Sequence, residues 1–212
     1  MTLDKYSQKE ERINVITHAF GFVLSVVGLV FLVLKVNTNT AKTLDLVSVV
    51  IFGLSMTILY AASTTYHSAK TAKLRKRLNV FDHASIYVLI AGTYTPFSLI
   101  SLIDSVGWTL IIVIWSIALI GVVLKLFFTG KYDKLSTLMY VLMGWIIIGV
   151  LKPLIASVDI NGLMWLLAGG VFYSVGAVFY ITNKFKMNHA IFHVFVLLGS
   201  ASHYISIYKY VL

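Results

Sequence analysis

Two histidines, His189 and His193, stand four residues apart in the run HAIFH, a spacing that puts both imidazoles on one face of a helix. A third, His67, closes the run STTYH, and Asp82 lies near the start of NVFDHASIYVLIAG. All four sit in or at the edge of long apolar stretches, where ionisable side chains are costly and mark function by default. Two imidazoles from one helix and a third from another suit tetrahedral Zn²⁺ and leave a fourth position for water. Such an open three-histidine set is the catalytic rather than the structural kind of zinc site. Asp82 is expected to hydrogen-bond the water or a ligating ring. Ser63, four residues before His67 and on the same helix face, offers a hydroxyl to a water or a substrate carbonyl. The blander reading of the same residues is a polar cluster that joins helices by hydrogen bonds.

The elements that must position these groups are membrane spans. The chain has 212 residues, 59% hydrophobic and only 12% charged, with a mean hydropathy of +0.90. A soluble domain carries about 25% charged residues. Without cysteine there is no disulfide framework and no thiolate chemistry. Seven stretches approach the ~20 apolar residues that a helix needs to cross a bilayer: 13–35, 44–66, 80–102, 108–128, 135–151, 163–182 and 189–211. Alternating ten-residue strands are absent, which excludes a β-barrel. The fold class is therefore an all-α integral membrane bundle of seven helices, a polar segment 1–12 followed by one domain over 13–212. The opening segment is not read as a cleavable signal, since no small-residue cleavage site follows a short apolar region.

Basic residues fix the direction. Lys5, Lys9, Arg12, Lys70, Lys73, Arg75, Lys76, Arg77, Lys125, Lys131, Lys134, Lys184 and Lys186 fall on the side of the N-terminus, and only Lys35, Lys42, Lys152 and Lys209 on the other. Lys and Arg are retained in the cytoplasm, so the N-terminus is expected inside and the C-terminus outside. The net charge of +9 then sets topology and does not point to nucleic acid. At 1.5 Å per helical residue, His67, Asp82, His189 and His193 all fall within about 4–11 Å of the same charged boundary. His18 is at similar depth, with packing or support of the site as its expected role. His83 projects about 100° away from Asp82 and is expected at the interface, while His203, about 15 Å deeper than His193, is expected to make a buried hydrogen bond. Gly92 and Pro96 predict a bend in the third helix. Tyr6, Trp108, Tyr132, Tyr208 and Tyr210 are expected to be interfacial anchors.

Four runs together carry a family resemblance: ERINVITHAFG in helix one, STTYH closing helix two, FDHASIYVLIAGTYTPF in helix three and HAIFHVFVLLGSASHY in helix seven. Over essentially its whole length the chain resembles the bacterial haemolysin III branch of the progestin and adiponectin receptor family. The resemblance implies a seven-helix protein of the bacterial plasma membrane with zinc held by His67, His189 and His193, and with Asp82 and Ser63 as polar partners beside the metal. Alkaline ceramidases in the wider superfamily suggest zinc-dependent hydrolysis of a lipid amide or ester, and bacterial members are associated with membrane-lipid homeostasis. The long soluble N-terminal region of the animal receptors is missing, which argues against hormone binding. Two alternatives stay open: a zinc-stabilised receptor or regulator without turnover, and a membrane-lytic pore. A secreted pore would need a soluble state that seven apolar spans do not leave. The expected partner is a membrane lipid; oligomeric state is not indicated.

Overall fold

The computed structural model describes residues 6–37, 42–182 and 186–212; Asp4, Lys5 and Lys184 lie outside the described residues. Among the described residues, seven helices are long and apolar enough to span a bilayer: α1 (Gln8–Asn37), α2 (Thr43–His67), α3 (Ala72–Ser101), α4 (Gly107–Phe128), α5 (Asp133–Ser157), α6 (Ile160–Thr182) and α7 (Asn188–Val211). No strand occurs among the described residues. Large apolar side chains stay exposed on the outer faces, among them Ile16, Leu119 and Phe127. Such faces are stable only against lipid, because an exposed apolar surface of this extent would aggregate in water.

α1 packs on α2, α2 on α3, α3 on α4 and α6 on α7, α5 rests on α6 and α3, and α1 closes the bundle against α7. The central helix is α3, the least apolar span and yet the most buried. Glycines let it sit close to its neighbours. A Cβ added at Gly92 would run into the Ser55 side chain of α2, so Gly92→Ala is expected to lower stability by roughly 1–3 kcal/mol through overpacking. A thermal midpoint in detergent equal to that of the wild type would show that this contact is not tight. Pro96 does not stop α3; the chain passes into a π-helical turn over Phe97–Ser101.

The least buried span is α5, and it is interrupted. Its α-helical start, Asp133–Gly144, passes into a 3₁₀ stretch over Trp145–Val150 before α-helix resumes at Leu151–Ser157. Tyr94 of α3 holds the interruption: its hydroxyl donates to the Gly144 carbonyl at 2.8 Å and accepts from the Ile147 amide at 2.9 Å. The sequence predicts that this helix closes at Lys152–Pro153, but it runs on to Ser157. Pro153 falls in the first turn of the resumed helix, where a backbone N–H has no intrahelical partner to lose.

Between α3, α5, α6 and α7 lies a cavity of about 590 Å³, within the range of small-molecule sites. Its walls are mostly apolar, and its polar residues include His18, Ser63, Asp82, His189 and His193.

Candidate metal centre

The bundle brings His67 from the last turn of α2 to His189 and His193 in the first turns of α7. All three are buried, and among the described residues they are the one cluster whose ligand atoms approach within 4.8 Å of one another. The His189 Nε2 stands 3.1 Å from the Nε2 of His67 and 3.1 Å from the Nε2 of His193. Ring nitrogens bound tetrahedrally at 2.0–2.1 Å from one ion would lie about 3.3 Å apart. The set therefore fits a small divalent cation.

Support for the outer nitrogens comes from the other side of the rings. His67 Nδ1 donates to Glu11 Oε2 at 2.6 Å, and Arg75 donates to the second oxygen of Glu11. A carboxylate that takes the Nδ1 hydrogen fixes the tautomer and leaves the Nε2 lone pair for a metal. Thr17 faces His193 Nδ1 at 3.5 Å, and its own hydroxyl hydrogen goes to the Ile13 carbonyl at 2.8 Å. Its oxygen can thus only accept from the ring, which again frees Nε2. Tyr6 stacks on His189 with ring centroids 4.5 Å apart, and its hydroxyl meets His189 Nδ1 at 3.2 Å. Burial pushes the Tyr6 phenol well above its ordinary range, and Tyr180, Tyr66 and Asp82 nearby push it the same way, so it remains neutral. Next to Glu11, Glu10 accepts the His189 backbone N–H at 3.2 Å and so caps the start of α7.

Glu10, Glu11 and Tyr6 were not expected here. The sequence places the two acids in a polar tail or at a helix end and Tyr6 at the membrane interface. However, α1 begins at Gln8, five residues before the apolar stretch, and its polar first turns fold over the histidines. One signal was available: Glu11, Asn14 and His18 recur at helical spacing in ERINVITH, so they share a face.

The other expected residues fall as follows. Asp82 and Ser63 line the cavity with His189 and His193. His18 lines it too and lies flat on His193, ring centroids 3.6 Å apart. His203 makes the expected buried hydrogen bond, its Nε2 lying 3.0 Å from the Leu166 carbonyl. His83 departs from expectation: it is buried on the cavity wall, where Tyr140 donates to its carbonyl at 2.9 Å. Phe81 takes the exposed side of this turn, and the His83 face is covered by Tyr140 of α5 and Tyr180 of α6.

A family model described as haemolysin-III related matches residues 6–204. The chain belongs to that family. It is 45% identical to Hemolysin-3 of Bacillus cereus over 204 residues, covering 96% of this chain and 93% of that protein. To the Hemolysin-3 homolog of Bacillus subtilis it is 46% identical over 205 residues, covering 97% and 96%. A more distant likeness, 29% over 210 residues, covers 95% of this chain and 84% of the human monocyte to macrophage differentiation factor. With seven apolar helices and bacterial haemolysin III relatives along nearly its full length, the chain is a multi-pass protein of the bacterial plasma membrane. The haemolysin-III match includes all three clustered histidines, Ser63, Asp82 and the supporting Glu11.

Proposed function

We propose that this haemolysin III protein is a zinc-dependent hydrolase that cleaves a lipid amide or ester within the membrane, its basic end facing the cytoplasm. The observation that carries this reading is a three-histidine cluster opening onto an apolar cavity that also presents a carboxylate and a hydroxyl. His67, His189 and His193 would hold Zn²⁺; three protein ligands leave a position open, as in catalytic sites. The ion, when bound, supplies a Lewis acid that acidifies water and polarises a carbonyl.

The chain's own residues do the rest. Apolar side chains of α5 and α6 hold the acyl chains and exclude bulk water from the scissile bond. Asp82 takes a proton from the attacking water and returns it to the leaving amine or alcohol as the C–N or C–O bond breaks. Ser63 donates its hydroxyl hydrogen to the carbonyl oxygen as negative charge gathers there. Glu11, Thr17 and Tyr6 keep the imidazoles aimed while this happens.

The test is product formation from a panel of lipid amides and esters in nanodiscs, read by mass spectrometry. Asp82→Asn is expected to lower turnover by about 100-fold or more with metal content unchanged. A folded, zinc-replete protein that turns over no member of the panel would leave a receptor or regulator as the better reading.

A further inference from the structure

The cavity has a second polar wall that the hydrolytic reading does not use. Across from the imidazoles, α3, α4 and α5 bring His83, Lys125 and Asp133 to its lining. Lys125 lies one turn before the end of α4, at the same end of the bundle as the histidines. That places it about 5 Å below the helix terminus, at headgroup depth. The residue is only 3% exposed. Its ammonium looks at the Tyr140 ring from 5.9 Å, the outer limit of a cation–π attraction. Among the described residues it forms no ion pair. Asp133 is near enough for its charge to act on Lys125, but one oxygen of Asp133 is turned to His83, 3.9 Å from Nδ1. Tyr180 bridges the two walls, its hydroxyl 3.4 Å from His83 Nε2 and its ring centroid 5.7 Å from that of His189.

An ammonium taken out of water without an ion-pair partner is expensive. In a cavity open to lipid, at the depth of the headgroups, the anion that can meet it is a phosphate ester, which lysine binds as a point charge. We propose that Lys125 recognises the phosphate of a lipid whose chains occupy the apolar part of the cavity. Identifying that phospholipid as the substrate rests on the hydrolytic reading; the binding itself does not.

Delipidated, zinc-loaded protein in detergent is titrated with phosphatidic acid, with diacylglycerol of the same acyl chains, and with inorganic phosphate, and bound species are counted by native mass spectrometry. Phosphatidic acid is expected to be retained at least about tenfold more tightly than diacylglycerol. Lys125→Met removes that preference and Lys125→Arg keeps it. Asp133→Asn, which takes a negative charge away from the phosphate, increases it. Displacement of phosphatidic acid by inorganic phosphate would assign recognition to the free anion as well, and failure to displace it would assign recognition to the lipid; either supports a phosphate site. Equal retention of the two lipids by the wild type overturns the proposal, as does a preference that survives Lys125→Met or falls alike in Lys125→Met and Asp133→Asn. Should Lys125→Met fail to fold, the wild-type comparison together with Asp133→Asn decides the matter: equal retention by the wild type, or no gain in preference in Asp133→Asn, overturns the proposal. A phosphate preference without turnover of any lipid sinks the hydrolytic reading alone; turnover of a neutral lipid without that preference sinks the binding proposal alone.

Discussion

Replacing His189 by alanine is expected to take the metal from near one ion per chain to below about 0.2, the largest effect of any single change in this protein. His189 is the middle of the cluster, its Nε2 lying 3.1 Å from both partners. Binding of Zn²⁺ by a full set of protein ligands is worth roughly 10–16 kcal/mol. Losing one of three ligands forfeits about a third of that, ~4 kcal/mol, or about 1000-fold in affinity. Elemental analysis of purified protein and competition with a chelator both read this number. His203→Ala is the matched control, because His203 is also buried but its ring bonds the Leu166 carbonyl far from the cluster. It is expected to keep its metal. Equal zinc in His189→Ala and wild type would remove the site, and the hydrolytic reading with it.

The second large effect is expected at Glu11, which holds two groups at once: it accepts from His67 Nδ1 and from the Arg75 guanidinium. Arg75 is buried and also lies over the Tyr66 ring at 4.8 Å. Glu11→Gln retains the shape but loses the charge and one acceptor oxygen. Metal affinity should fall about 10- to 100-fold, as it does when the carboxylate behind a ligating imidazole is removed. Glu11→Ala adds a stability loss of roughly 3 kcal/mol, the low end for a broken buried pair since Glu11 is not sealed from solvent. Arg75→Met separates the two roles: stability should drop while metal affinity changes less than in Glu11→Gln. If Arg75→Met and Glu11→Gln lost metal equally, the carboxylate would act through general packing instead of through the His67 ring.

What could be read from the sequence follows from depth and period. The His189–His193 pair and His67 were legible because helical spacing fixes a shared face and the nearest basic residues fix a common level in the bilayer. The seven spans were legible because hydrocarbon thickness sets their length. Residues judged by hydropathy alone were not. Glu10 and Glu11 sit beyond the apolar stretch, so a count of apolar residues cuts α1 short and turns two supporting acids into a tail. Tyr6 has the composition of an interfacial anchor, and only the fold of the first turns over α7 makes it a neighbour of His189. Likewise, nothing in the WIIIGV run announces a 3₁₀ break, which depends on the Tyr94 hydroxyl arriving from α3.

The cluster draws two imidazoles from the last helix and one from the second, and holds their far sides with side chains from the first helix and from Tyr6 just before it. During synthesis on the ribosome, the earliest residues made must therefore wait for nearly the latest. No prefix that ends before α7 owns more than one of the three rings, and the set is assembled only when α7 has met α1 and α2. Ion uptake at this cluster would thus mark completed biogenesis: a polypeptide halted anywhere before Asn188 is expected to insert into the membrane yet remain metal-free.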